Sequence, residues 1–164
     1  MAIMTIKRPK YEAGITLVEE MAAILILSVA VIGASAYRYH SALDARKADE
    51  TAVATRIALL LCENWRGING DETFNPQDYW GQGLPVIEVS GQGPEVPIGF
   101  TQLQTYTVEI NNVLYFVTMS WQDVAAGLRA LNVTVAWNQR GAGHGSKAFA
   151  NADKSFRLTT YVAI

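Results

Sequence analysis

Two adjacent carboxylates, Glu19 and Glu20, stand at the start of an apolar run, and their placement suggests a function more strongly than any other residues do. From Met21 to Ala36 the chain has sixteen residues without a charge. A charged side chain costs about 2.5–3.5 kcal/mol at the centre of an inserting helix, though less near its edge. An acid at this position must find a partner or a proton, so we take a functional role for it as the default hypothesis.

The other residues that could do chemistry lack the spacing that such chemistry requires. His40 and His144 are far apart in the sequence and do not have the spacing of metal ligands. The glycine-rich segment 140–145 falls between two predicted strands, which favours a turn over a phosphate-binding loop. No serine or cysteine stands in a recognisable catalytic frame. We therefore expect no enzyme activity, no cofactor and no metal.

The composition is that of one globular body without a nucleic-acid-binding charge. The chain has 164 residues, half of them hydrophobic, which suffices for a core without disulfides or metal. The single cysteine, Cys62, excludes an intramolecular disulfide and is expected to be a buried thiol. The formal charge of -2 and the scattered Lys and Arg predict no nucleic-acid partner.

The segment from Ile15 to Ala36 predicts a membrane-spanning helix. It is long enough, since a helix needs about 20 residues to cross a bilayer. Lys7, Arg8 and Lys10 precede it, with no acid among the first ten residues. The positive-inside rule then predicts an amino terminus in the cytoplasm and a body on the far side of the membrane.

Three interpretations of this segment compete. A secretory signal peptide also has a basic head and an apolar run, and Ala34-Ser35-Ala36 could be its cleavage site, leaving Tyr37 as the mature terminus. An uncleaved anchor for an extracytoplasmic binding domain is the second alternative. Neither gives the two carboxylates at the start of the run a task. The third interpretation gives at least one of them a role.

The residues Gly14-Ile15-Thr16-Leu17-Val18-Glu19 follow a basic head and lead into the apolar run. This order resembles the prepilin leader of type IV pilins and type II secretion pseudopilins. The resemblance implies that a prepilin peptidase cuts after Gly14 and methylates the new terminal amine of Ile15. Residues 1–14 would then be a leader peptide, and residues 15–36 the transmembrane segment that later enters the core of a filament.

The resemblance assigns Glu19 a role in subunit assembly, and we expect Glu20, a second acid in the same region, to act there by pairing with another subunit's terminus or a basic side chain, or to remain protonated. Glu19 becomes the fifth mature residue, where the family has a glutamate that pairs with the terminal amine of a neighbouring subunit. Glu20 stands where the family usually has an apolar residue, and Ala36 stands where major pilins often have a proline. These departures favour a minor pilin or a pseudopilin. The implied partners are the prepilin peptidase, other pilins or pseudopilins, an inner-membrane assembly platform and membrane lipid.

After Ala36 the pattern is that of an amphipathic helix over residues 37–66. The spacing of one helical face predicts that it packs on a core through apolar residues, with Gly67 as its end. These residues are Val53, Ile57, Leu60, Leu61 and Trp65. The charged residues predicted on the opposite side are Asp44, Arg46, Lys47, Asp49, Glu50 and Arg56.

Residues 67–164 form the predicted head. Up to residue 101 the sequence predicts a Gly- and Pro-rich loop with one short strand, Leu84 to Ser90. Strands follow at 103–110 and 113–121 around a tight Asn111-Asn112 turn, then a helical turn near 123–130. The last two strands, 131–138 and 155–163, flank a long loop and resemble the carboxyl-terminal hairpin of V-type minor pilins and I-type pseudopilins. The expected fold is α+β and pilin-like, with a long amino-terminal helix on a roughly four-stranded antiparallel sheet.

Overall fold

The computed structural model describes residues 16–79, 86–88, 92–139 and 149–164. The chain divides into two compact units, Met1–Asp44 and Ala45–Ile164. In the first unit, the described residues from Leu17 onward are all helical. The second unit holds the carboxyl-terminal part of the same helix, the strands and the hydrophobic core.

The helix α1 spans Leu17–Gly67, which confirms the long amino-terminal helix. Its buried side chains in the second unit follow helical spacing, as expected for one face against a core. They are Glu50, Ala54, Ile57, Ala58, Leu61, Cys62 and Trp65. Two details of the predicted face are wrong. Leu60 is 44 % exposed, and Glu50, predicted on the solvent side, is buried. The small residues Ala54, Ala58 and Cys62 complete the buried face and move it away from Leu60.

The helix ends at the glycine that the sequence indicated, which confirms that prediction. Gly67 is the last helical residue, but Asn69 adopts the left-handed conformation with φ of 57°. The amide of Gly70 donates to the carbonyl of Trp65 at 3.0 Å, and the amide of Asn69 donates to that of Arg66 at 3.0 Å. This pair of bonds is a Schellman motif, with Asn69 as the left-handed residue that terminates the helix.

The strands form one antiparallel sheet in the order β1-β2-β3-β4-β5, which confirms the α+β class. The four long strands account for the predicted sheet, and β1 adds a short fifth strand at its edge. Their bounds are β1 Val86–Glu88, β2 Thr101–Ile110, β3 Val113–Ala125, β4 Leu128–Trp137 and β5 Lys154–Ala163. Two short helices complete the description, α2 at Pro76–Tyr79 and a 3-10 turn at Phe149–Asn151.

The two hairpin turns show why one turn was predicted correctly and the other was not. Asn111 and Asn112 have φ of 52° and 63°, as a two-residue hairpin turn requires, which confirms that prediction. The helical turn expected near residues 123–130 is wrong. There β3 continues to Ala125 and β4 starts at Leu128, with Gly127 at φ of 75° in the turn. The helix-forming residues of this stretch adopt strand because the end of β3 pairs with β4, and residues 128–130 of β4 pair with both β3 and β5.

The hydrophobic core lies between the buried face of α1 and one face of the sheet. Trp65 and Leu61 from the helix join Tyr106, Met119 and Val133 from three strands, all less than 2 % exposed. Phe74 from the segment after the helix stacks on Trp65, with ring centroids 6.1 Å apart and planes 10° apart. The side chains alternate along each strand, so the apolar set belongs to one face only.

The opposite face of the sheet is also buried, and most of its buried side chains are polar, although Phe116, Ala130 and Ala136 lie among them. Six of its side chains are polar and less than 9 % exposed, namely Thr105, Thr107, Thr118, Ser120, Asn132 and Thr134. Gly93 lies against this face so closely that a Cβ atom built on it would be 2.4 Å from the hydroxyl of Thr118. The segment after residue 91 therefore covers part of the polar face, and the sheet is the middle layer of the head.

Candidate functional site

The amino-terminal part of α1 exposes apolar side chains around its whole circumference. Four consecutive residues, Ile24 to Leu27, cover every direction around a helix at 100° per residue, and each is 64–68 % exposed. A helix that is apolar all round belongs inside a protein or inside a membrane. By length and composition, α1 is the one helix in the described ranges that could cross a membrane.

The polar side chains within this apolar segment find hydrogen-bond partners on the helix itself. The hydroxyl of Ser28 donates to the carbonyl of Ile24 at 2.7 Å, and that of Ser35 donates to Val31 at 2.8 Å. A hydroxyl bonded to the preceding turn needs no water, which is the condition for placing it in hydrocarbon. The segment between Met21 and Ala36 can therefore lie in an apolar environment without an unsatisfied hydroxyl.

Glu19 caps the amino-terminal end of the helix. Its carboxylate accepts a hydrogen bond from the backbone amide of Thr16 at 3.0 Å and from the Thr16 hydroxyl at 3.3 Å. In return the amide of Glu19 donates to the Thr16 hydroxyl at 3.4 Å. This is a capping box, in which both residues satisfy amides that the first helical turn leaves free. The negative charge also lies at the favourable end of the helix dipole.

Glu20 occupies a different position around the helix from Glu19, about 100° away. It lies in the first turn, where the helix dipole favours an acid, and its side chain is exposed. No described residue makes a side-chain hydrogen bond or ion pair with it. The two acids therefore present carboxylates in two directions at the same end of α1.

Two further residues predicted for processing, Gly14 and Ile15, lie outside the described residues. The first described residue, Thr16, directly follows Ile15 in the sequence. The capping box thus places the Glu19 carboxylate beside the backbone that follows the predicted cleavage bond. The sequence contained this signal as Thr16-Leu17-Val18-Glu19, a Thr-x-x-Glu pattern before an apolar run.

The other residues whose side chains could do chemistry are placed in surroundings that indicate a structural role. Cys62 is 2 % exposed, and burial raises the pKa of its thiol to about 12, so it stays neutral and unreactive. His40 contacts Tyr39 edge-on with ring centroids 5.8 Å apart. Within the described ranges, no group of three or more His, Cys, Asp or Glu side chains could hold a metal ion. His144 and the glycine-rich segment 140–145 lie outside those ranges.

A cluster around Arg129, which the sequence analysis missed, joins the end of α1 to the sheet. The buried guanidinium donates to the Asp123 carboxylate at 2.6 Å, to Glu72 at 2.9 Å and to the carbonyl of Gly70 at 3.0 Å. It also lies 4.0 Å from the centroid of the Trp121 ring. Hydrogen bonding to Asp123 raises the pKa of Arg129, and the same bond lowers that of Asp123. The cluster therefore holds the segment after α1 against strands β3 and β4.

A second polar group that was missed lies on the buried face of α1. Glu50 is 5 % exposed, and its Oε1 atom accepts from Nε of Arg46 at 3.1 Å. Its Oε2 atom has no hydrogen-bond partner among the described residues. The hydroxyl of Tyr115 donates to the Glu50 carbonyl at 3.4 Å. Burial, with the charges of Glu50 and Asp49, raises the pKa of Tyr115 to about 12.

Comparison of the chain with protein-family models, with curated proteins and with solved structures finds no match. The function must therefore be inferred from the residues and geometry of α1 and the head.

Proposed function

We propose that this chain is a minor pilin or pseudopilin subunit of a type IV pilin-like filament. One observation supports this proposal above the others: a helix that is apolar all round begins with a capped glutamate. The fold of the head, with the same helix on an antiparallel sheet, is compatible with the pilin class. In the proposal the apolar segment first lies in the inner membrane and the head lies outside the cytoplasm.

The proposed assembly step exchanges lipid for protein around the same helix surface. The large apolar side chains between Leu17 and Ile32 are 56–75 % exposed. The membrane and the filament core would therefore remove the same apolar surface from water. Ser28 and Ser35 make their hydrogen bonds internally and are compatible with both environments. Helix bundling therefore needs no rearrangement within this segment.

The proposed role of Glu19 is to bind the methylated terminal amine of a neighbouring subunit during assembly. A carboxylate in an apolar filament core is costly unless it is paired. The capping box occupies one carboxylate oxygen, Oε2, so the other oxygen remains available for an amine. Pairing at this point would set the axial register between neighbouring helices.

Substituting Glu19 by glutamine tests this role separately from helix capping. Glutamine retains a side-chain oxygen for the capping box but has no charge to pair with an amine. We expect Glu19→Gln to be cleaved normally and to enter filaments at least about tenfold less, since an unpaired buried amine costs more than 1.4 kcal/mol. Immunoblotting of sheared filaments and of membranes measures both steps.

The matched control is Glu20→Gln, which removes the neighbouring charge and leaves the capping box intact. If Glu19 alone pairs with the amine, this control enters filaments better than Glu19→Gln does. Normal incorporation of Glu19→Gln would show that Glu19 serves only as a helix cap, and the assembly role would then be rejected.

An uncleaved anchor for an extracytoplasmic binding domain is the second candidate function. It is favoured by the capping box, which gives Glu19 a task without a second subunit. The two candidates differ in the fate of residues 1–14, which an anchor keeps and a pilin subunit loses.

A further inference from the structure

The strand β5 lies at one edge of the sheet. It pairs with β4 through ten consecutive residue pairs without a register shift, from Leu128↔Ala163 to Trp137↔Lys154. None of the residues that the structure describes pairs with its other edge. The opposite edge of the sheet is β1, which has only three residues. Proteins usually protect edges with short strands, bulges, prolines or charged side chains, and of these β5 has only the charged side chains Lys154 and Arg157.

The side chains of β5 are accessible on both faces. Tyr161 is 58 % exposed on the polar face of the sheet, and Ser155, Arg157 and Thr159 on the same face are exposed as well. On the face toward α1, Phe156 and Leu158 pack against the hydrophobic core but are only partly buried. A further strand beside β5 would cover these two apolar side chains and extend the core by one row.

The charges of β5 restrict what such a strand could be. Its ten residues include Lys154 and Arg157 and no acid. Arg157 reaches back over the sheet, where its Nε donates to the hydroxyl of Thr134 at 3.3 Å. Pairing two copies of β5 would bring four cations to one seam without an acid to offset them, and cationic side chains on an edge strand are one way in which proteins oppose such pairing. Carboxylates on the added strand would be attracted instead.

We propose that β5 is a strand-addition site for an extended acidic segment of another filament subunit. The added segment pairs its backbone with the free edge of β5, as in other cases of β-augmentation. Its apolar side chains cover Phe156 and Leu158 on the face toward α1, and its carboxylates lie on the opposite face near Arg157, with Lys154 at the end of the strand. The identity of the partner as a filament subunit rests on the proposed function, whereas the recognition of an acidic strand rests on β5 alone.

A peptide-binding experiment tests this proposal on the purified full chain in detergent micelles. The probe is a synthetic ten-residue peptide in which valine alternates with glutamate and threonine, and the comparison peptide has lysine in place of glutamate. We expect the acidic peptide to bind at least about tenfold more tightly, as judged by fluorescence anisotropy. Hydrogen–deuterium exchange should show new protection at residues 154–163 and little change in β2 or β3.

Charge reversal provides the matched variants. The double substitution Lys154→Glu and Arg157→Glu should reverse the preference between the two peptides. Arg56→Glu, on the exposed side of α1, should leave that preference unchanged. Circular dichroism and near-ultraviolet spectra of the variants confirm that each is folded before binding is compared.

Three results would overturn the proposal. The first is an acidic peptide that does not bind, and the second is binding that is indifferent to the charges of β5. The third is protection of β5 in the absence of peptide together with a dimer in analytical ultracentrifugation, which would assign the edge to a second copy of this chain. None of these results bears on cleavage after Gly14 or on Glu19, so they leave the proposed function standing.

Discussion

At the scale of single residues, Glu19 is used by its own helix before any partner is present. Its carboxylate accepts from both the amide and the hydroxyl of Thr16, within 3.0 and 3.3 Å. The position of the acid in the sequence pointed to its importance, because an acid next to an apolar run has a cost. The contribution of Thr16 was equally visible as a capping pattern, and it joins Glu19 as a residue of the site.

Arg129 shows what sequence patterns do not reveal. Its two carboxylate partners are distant from each other in the chain, Asp123 on β3 and Glu72 in the segment after α1. Only the pairing of β3 with β4 and the return of the chain after α1 bring them together. The contact with Asp123 was missed because a helical turn was predicted at residues 123–130. No local spacing encodes the contact with Glu72, 57 residues away, or that of Tyr115 with Glu50.

Replacing Arg129 by alanine should loosen the attachment of the segment after α1. The substitution removes charge-assisted hydrogen bonds from a buried guanidinium and leaves the carbonyl of Gly70 without its donor. We expect the free energy of unfolding of the head to fall by about 2 kcal/mol, since hydrogen bonds to charged groups each contribute roughly 1.5–3. The stability of Arg129→Lys should lie between those of the wild type and Arg129→Ala, because lysine retains the charge but lacks the forked N–H donors of the guanidinium. Tryptophan fluorescence during urea unfolding in micelles measures this change.

The control for this substitution is Arg56→Ala, because Arg56 is exposed on α1. It should change the unfolding free energy by less than about 0.5 kcal/mol, as surface substitutions usually do. An Arg129→Ala variant as stable as this control would show that the cluster does not hold the segment.

The ion pair between Arg129 and Asp123 also predicts how the stability of the head responds to acid. The hydrogen bond from Arg129 lowers the pKa of Asp123 below its ordinary 3.8, so the folded protein holds this carboxyl ionised where the unfolded chain protonates it. The stability from the pair is complete above the ordinary pKa and is lost as the pH falls below it, through the lowered value. Arg129→Ala should flatten this part of the pH dependence. A slope unchanged by the substitution would contradict the pairing.

At the scale of elements, the alternation of the strands and the hairpin turn between them could be predicted, whereas the residues that terminate the helix could be predicted less well. The alternation of β2 and β3 and the Asn-Asn turn follow from local rules that the tertiary structure does not override. The last helical residue is Gly67, as the sequence indicated, but the residues with left-handed conformations after it are Asn69 and Gly70, which no local pattern had singled out. The burial of Glu50 was unpredictable for another reason, because the charge of a glutamate opposes burial and here its carboxylate is paired with Arg46.

Gly70 and Gly67 provide a test of the helix end, because only one of them is required. A Cβ atom on Gly70 would lie 2.9 Å from side-chain atoms of Leu131 and Val162, and its φ is 69°. Gly70→Ala should therefore lower the free energy of unfolding by about 1–3 kcal/mol. Nothing lies within 4 Å of a Cβ on Gly67, which is helical. Gly67→Ala should leave stability unchanged or raise it by up to about 1 kcal/mol.

Thermal unfolding of the two variants, followed by circular dichroism under the same conditions, compares them directly. Equal effects would mean that the Schellman motif at Asn69 and Gly70 does not determine where α1 ends.

At the scale of the whole molecule, the chain combines an apolar helical segment with a folded head that has its own core. The sequence predicted the segment from its uncharged run and the head from helical and strand periodicity. The buried polar face of the sheet and the edge at β5 could not be predicted, since both depend on which strands become neighbours. The proposed function depends on chemistry at residues 14 and 15, which precede the described part of the helix.

The most direct test of the central proposal is the mass of the mature chain and of its first peptide, isolated from its native host. The pilin proposal predicts a chain that starts at Ile15 with one methyl group on its amine, and a Gly14→Leu variant that retains residues 1–14. A wild-type chain that keeps residues 1–14, in cells whose prepilin peptidase processes its other substrates, would contradict the proposal. A chain that starts at Tyr37 would contradict it as well.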